Sequence, residues 1–164
     1  MKRVDIFDLS ADIFLYPDEN WFKKLELLNG LVGNKITIPS QTLDEAREIY
    51  INYFEHNSSK FGIVPVASYW IDGRMMSNTS VEVKNFYESC GFENQDFGPP
   101  DYISKMLSFC AILLENGKTS EFAKFKEWLY WLDDFSKALE KSVPIKCFAE
   151  ISQICYLLIR ENEV

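Results

Sequence analysis

Apolar residues recur every three to four positions over most of the chain, the spacing that puts them on one face of an α-helix. Val4, Phe7, Ala11, Phe14 and Leu15 trace a first helix. Tyr16-Pro17 ends it, because proline pushes the residue before it out of helical geometry. Asp18 is placed to cap a second helix through Trp21, Phe22, Leu25 and Leu28, with Asn29-Gly30 as its stop. After a loop over residues 31–41, Thr42 and Glu45 fit a capping box, in which each side chain binds the other's backbone N–H. The helix it opens carries Ala46, Ile49, Tyr50, Tyr53 and Phe54 and should fade near Asn57-Ser58-Ser59.

Residues 61–72 (FGIVPVASYWID) are the one stretch that reads as strand. No second strand exists for it to pair with, so it is expected as an irregular loop plus a short helix. Asn78 or Ser80 starts a helix through Val81, Val83, Phe86 and Tyr87 that Gly91 closes, and residues 92–100 form a loop. From Asp101 a strongly apolar helix runs to Leu114, ending at Asn116-Gly117. Thr119 or Ser120 caps one long helix to about Lys141, and Pro144 opens a last helix to Arg160. The pattern predicts an all-α fold of about seven or more helices, without internal repeats, as a single domain over residues 1–164.

Composition narrows the classes. The chain has 164 residues, 47% hydrophobic, with only 7 Gly and 6 Pro, which excludes disorder and collagen-like repeats. Its net charge is −8 and no Lys/Arg cluster occurs, so no nucleic-acid partner is expected. The excess is most one-sided over residues 61–117, with 3 basic and 7 acidic groups, a surface that suits a basic partner. Cys90, Cys110, Cys147 and Cys155 form no CxxC pair and sit among apolar neighbours, as reduced core residues would. The N-terminus lacks a signal-peptide pattern and no apolar run approaches the roughly 18 residues of a membrane span, so a cytoplasmic protein without membrane insertion is expected.

Candidate chemistry is sparse. The single histidine, His56, has no Glu-x-x-His setting and reads as a surface residue. Asp133-Asp134 lies mid-helix and reads as a solvated face rather than a Mg²⁺ site. Phosphate-binding glycine loops and nucleophile elbows are missing, so neither catalysis nor a cofactor or metal is expected. Trp128, Tyr130, Trp131 and Phe135 fit core packing at helical spacing, with Trp128 and Trp131 on one face. For the block Ser68-Tyr69-Trp70-Ile71-Asp72 packing and recognition both stay open, since aromatics on loops beside Ser and Asp often contact partners.

The segments Pro65-Val-Ala-Ser68-Tyr-Trp70-Ile-Asp72, Thr79 to Phe92 with its Phe86-Tyr87-x-x-x-Gly91-Phe92 ending, and Gly98-Pro-Pro100-Asp101 come in an order and spacing that resembles the TorD/DmsD/NarJ family. Ile13 to Pro17 and Trp131-x-x-x-Phe135 extend the resemblance over roughly residues 5–160. The family consists of cytoplasmic chaperones that mature molybdopterin oxidoreductases. The resemblance implies an all-helical, non-enzymatic chaperone that binds the immature catalytic subunit, together with its basic twin-arginine leader peptide, before cofactor insertion. It implies a client-binding site at Ser68, Tyr69, Trp70 and Asp72 with Pro100, Asp101, Tyr102 and Glu127. Three positions depart from the family pattern: Tyr102 and Glu127 stand where it has histidine, and Met106 where an acidic residue is frequent. Two other readings remain beside it, a small nucleotide-binding, GTP-hydrolysing enzyme of the same helical class and a generic helical adaptor. A monomer and a domain-swapped homodimer are both compatible with the sequence.

Overall fold

A computed structural model describes residues 2–55, 62–93 and 98–161. His56, Asn57, Ser58, Ser59 and Phe61, and part of the loop expected over residues 92–100, lie outside the described residues. The all-α expectation holds. Among the described residues the helices are α1 (Lys2–Ile13), α2 (Trp21–Leu31), α3 (Leu43–Tyr50), α4 (Ala67–Asp72), α5 (Asn78–Ser89), α6 (Ile103–Glu115), α7 (Thr119–Phe125), α8 (Leu132–Ser142) and α9 (Cys147–Arg160). Helix α3 continues into a π-helical turn over Ile51–Glu55, and a 3-10 turn over Lys126–Leu129 follows α7.

α1 packs along α6 and α2, α8 packs along α9, and α1 also reaches α9. Phe14, fully buried, stands where these layers meet: its ring contacts Phe54, Phe135 and Phe148 at 6.1, 6.1 and 5.5 Å between centroids. A second aromatic cluster joins Phe86, Tyr87, Phe109, Phe125 and Trp128. Both belong to one continuous apolar core, in which Cys110, Cys147 and Cys155 are buried and Cys90 half-buried, all as free thiols.

Local signals behave unevenly. The Thr42–Glu45 capping box forms in full, with Glu45 N–H donating to Thr42 Oγ1 at 3.2 Å and Thr42 N–H to Glu45 Oε1 at 2.9 Å. Gly91 and Gly117 take the left-handed φ of 87° and 68° that closes α5 and α6. The start and stop expected for α2 do not hold. Its N-cap is Asn20, while Asp18 accepts from the Asn20 N–H, and the helix runs through Gly30 to Leu31. Asn29 uses its side chain to accept from the Ile36 N–H at 2.8 Å, so it pins the following loop instead of ending the helix.

The single helix expected from Thr119 to Lys141 is broken. Its first part ends at Phe125, and α8 starts only at Leu132. The break sends the two tryptophans to different neighbourhoods: Trp128 packs on Phe86 and Phe125, Trp131 on Trp70 and Phe135. They do not share a face. Tyr130 lies under the Arg160 guanidinium, 4.9 Å from ring centroid to carbon. The break also places Asp133 and Asp134 in the first turn of α8, not mid-helix, where carboxylates complement the positive end of the helix dipole. Asp133 pairs with Lys137 one turn on, at 3.1 Å.

Candidate functional site

A cavity of about 680 Å³ opens between α1, the end of α3 with its π-turn, and α6. The α6 residues Ser104, Lys105, Ser108, Phe109 and Ile112 recur at helical spacing and so line one side of it. Ser104 and Ser108, one turn apart, are small enough to leave the space open. Ala11 and Leu15 form the opposite wall, and Phe54 and Phe92 add ring surface. Four charged groups border it, Asp12, Glu55, Glu93 and Lys105. Asp12 meets Lys24 at 3.1 Å, and Lys105 Nζ donates to the Gly98 carbonyl at 3.0 Å. With Asp12 held by Lys24, Glu55 and Glu93 against Lys105 leave the border of the cavity electronegative over an apolar lining.

Its deepest polar feature is built on the end of α1. The last carbonyls of a helix have no partner within the helix and must find other donors. Ile13 O accepts from the Trp21 indole N–H at 3.1 Å. Phe14 O accepts from the Tyr102 hydroxyl at 2.9 Å and the Tyr50 hydroxyl at 3.2 Å, and the two hydroxyls are also in hydrogen-bond contact with each other. Burial pushes both phenols above their ordinary range. For Tyr102 the nearby Tyr50 adds to the shift, and Glu55 adds in both cases. Both therefore stay neutral hydroxyls at any physiological pH.

Tyr102 belongs to a short cross-link between two loops. Val66 and Tyr102 form an isolated antiparallel bridge, with Ile103 N–H donating to Pro65 O at 2.9 Å and Ala67 N–H to Asp101 O at 3.1 Å. Asp101, fully buried, accepts from the Ser68 N–H through Oδ2 at 2.7 Å, while Oδ1 has no hydrogen-bond partner among the described residues. It thus caps α4, 33 residues earlier in the chain, and not the helix that follows it, whose N-cap is Tyr102. Ser68 is likewise fully buried. Pro100, also buried, offers its carbonyl to the Tyr87 hydroxyl at 2.7 Å.

Asp72 closes the other end of α4 and grips the start of α5. Its Oδ2 accepts from the Ser77 hydroxyl and, at 2.9 Å, from the Thr79 N–H. The Ser77 bond, then the Thr79 N–H, hold its carboxyl below the usual carboxylate range. Of the three acids expected at a client site, Asp72 and Asp101 are therefore both helix caps.

Tyr69 and Trp70 line a separate cavity of about 320 Å³ with Tyr53, Ile63 and Ala138. Trp70 is half-buried; its indole donates to Val64 O at 2.7 Å and stacks on Trp131 at 6.5 Å. Tyr69 is exposed. Glu127 lies exposed on the 3-10 turn and lines neither cavity. Of the eight sequence-expected residues only Tyr102 reaches the larger cavity. The residues that accompany it there, Asp12, Tyr50, Glu55 and Ile112, carried no local signal: they converge from three helices.

No group of three potential metal ligands occurs among the described residues, and no described helix is long and apolar enough to cross a membrane. Burial pushes the Cys110 and Cys147 thiols up and the Cys155 thiol up to about 12, so none of the three is a nucleophile. The arrangement is equipped to bind.

The fold and cavity define an all-helical binding protein. The chain belongs to the nitrate reductase delta subunit family, whose model matches residues 18–141, and members of this NarJ/TorD-type family are chaperones rather than catalysts. Its fold is similar to the crystal structure of a candidate redox enzyme maturation protein from Archaeoglobus fulgidus: the TM-score is 0.68 at 23% identity, over 98% of this chain and 94% of that one. No curated protein is a match. The chain is thus a chaperone of redox enzyme maturation.

Proposed function

We propose that this chaperone acts in the cytoplasm on the immature catalytic subunit of a molybdopterin oxidoreductase, holding the basic, twin-arginine leader peptide until the cofactor is inserted and export can follow. The observation that carries this reading is the cavity between α1 and α6, apolar in its walls and bordered by Glu55 and Glu93 beside Lys105, with Asp12 held by Lys24. Basic residues beside an apolar stretch match both features, since guanidinium groups pair with carboxylates and apolar side chains fill grooves between helices. The same charges disfavour the nucleotide-hydrolysing alternative, because a triphosphate would meet Glu55 and Glu93 with Lys105 to offset them, Lys24 being engaged by Asp12.

The test is calorimetric titration with a synthetic probe of two arginines followed by ten Leu and Ala residues. Ile112→Arg places a bulky cation on the half-buried α6 wall and is expected to weaken binding about tenfold or more with helicity unchanged. Raising salt well above physiological strength shortens the screening length from about 8 Å towards about 3 Å and is expected to weaken wild-type binding. Unimpaired binding by Ile112→Arg, or an affinity indifferent to salt, contradicts the reading.

A further inference from the structure

Three contacts at the cavity floor share two protons. Phe14 O faces both phenol hydroxyls, and the hydroxyls face each other. Each phenol has one proton to donate and two lone pairs. In the arrangement that satisfies all the internal contacts, both are used inside this triangle: one goes to Phe14 O, the other to Phe14 O or to the neighbouring hydroxyl. What Tyr50 and Tyr102 present to the cavity is therefore lone pairs only. A carbonyl or phosphate oxygen arriving here gains a donor only if one of these internal bonds breaks, whereas an N–H group finds acceptors at once.

Glu55 reinforces the polarity. It sits five residues after Tyr50, a spacing that an ordinary α-helix turns away from the Tyr50 face. The π-helical turn over Ile51–Glu55 brings residue i+5 back toward residue i, and Tyr50, Phe54 and Glu55 all line the cavity. Just past the end of α1, Phe14 O adds a carbonyl dipole beside the two phenols, and the last turn of α1 has no basic residue to offset it.

We propose that Tyr50, Tyr102 and Glu55 form a guanidinium subsite that seats one arginine of the bound peptide. Glu55 takes the charge and part of the planar N–H fork, and the phenol oxygens accept from the rest. Apolar side chains gain nothing at this floor, and anions are repelled. The inference rests on the proposal that the cavity binds a basic peptide, and it adds which residues read the arginine.

The experiment compares two probes of equal length, one opening with two arginines and one with two norleucines, each followed by the same ten Leu and Ala residues. Wild type is expected to prefer the arginine probe about tenfold or more, as charge-assisted bonds in a partly dry cavity would give. Glu55→Gln, an isosteric change at an exposed position, should cut that preference to about threefold or less while leaving the norleucine affinity unchanged. Tyr102→Phe, which removes an acceptor, should reduce the preference in the same direction. A full preference retained in both variants, with Ile112→Arg still weakening binding of both probes, overturns the subsite and leaves the groove standing. If Ile112→Arg weakens neither probe, the groove itself fails and the subsite with it.

Discussion

Trp70→Ala is expected to destabilise the protein by about 3 kcal/mol and to leave probe binding in the α1–α6 cavity within a factor of about two. The indole fills the space between α4 and α8, stacked on Trp131, edge-on to Phe135 at 5.9 Å and tethered to Val64 O. Truncation removes the ring contacts, leaves the Val64 carbonyl without that donor and opens a void that these large neighbours cannot close. For a chain of this length the loss corresponds to a fall in Tm of roughly 6–12 °C. Trp70 and the cavity are lined by separate sets of residues, which is why affinity should hold. A nearly unchanged Tm with lost probe binding would return Trp70 to the site that the sequence suggested.

Asp101→Ala is expected to cost about 2 kcal/mol, and Asp101→Asn less than about 1 kcal/mol. Alanine leaves the Ser68 N–H buried without an acceptor and uncaps α4. Asparagine keeps an oxygen for that bond, and its amide replaces Oδ1, which has no hydrogen-bond partner among the described residues to lose. Thermal melts of the three proteins decide between this and a client-contacting role. Equal stability of all three proteins, with weaker probe binding in both variants, would show that the carboxylate faces the client.

The contrast between Thr42 and Asp101 shows what a sequence displays. Thr42 caps through Glu45, three residues away, so the pair announces itself in the string and forms as expected. Asp101 and Ser68 meet across 33 residues, and nothing near Asp101 distinguishes a cap for the following helix from a cap for an earlier one. The break between α7 and α8 was hidden for a related reason. Trp128, Trp131 and Phe135 keep helical spacing straight through it, yet Phe86 draws Trp128 one way and Trp70 draws Trp131 another. The family resemblance located the segments that matter for the fold, and Tyr102 among them reaches the cavity. Tyr50 and Glu55 were not legible, because a five-residue separation shares a face only where the helix widens into a π-turn, and tertiary packing decides that.

The most direct test of the central claim is affinity capture of a catalytic subunit from cells that express this protein, tagged, as wild type or as Ile112→Arg. The subunit is supplied once with its basic leader and once without it. Wild type should retain the leader-bearing molybdopterin oxidoreductase subunit, and both removal of the leader and Ile112→Arg should abolish that retention. Equal capture of the leaderless subunit, or undiminished capture by Ile112→Arg, would contradict a leader-holding groove between α1 and α6.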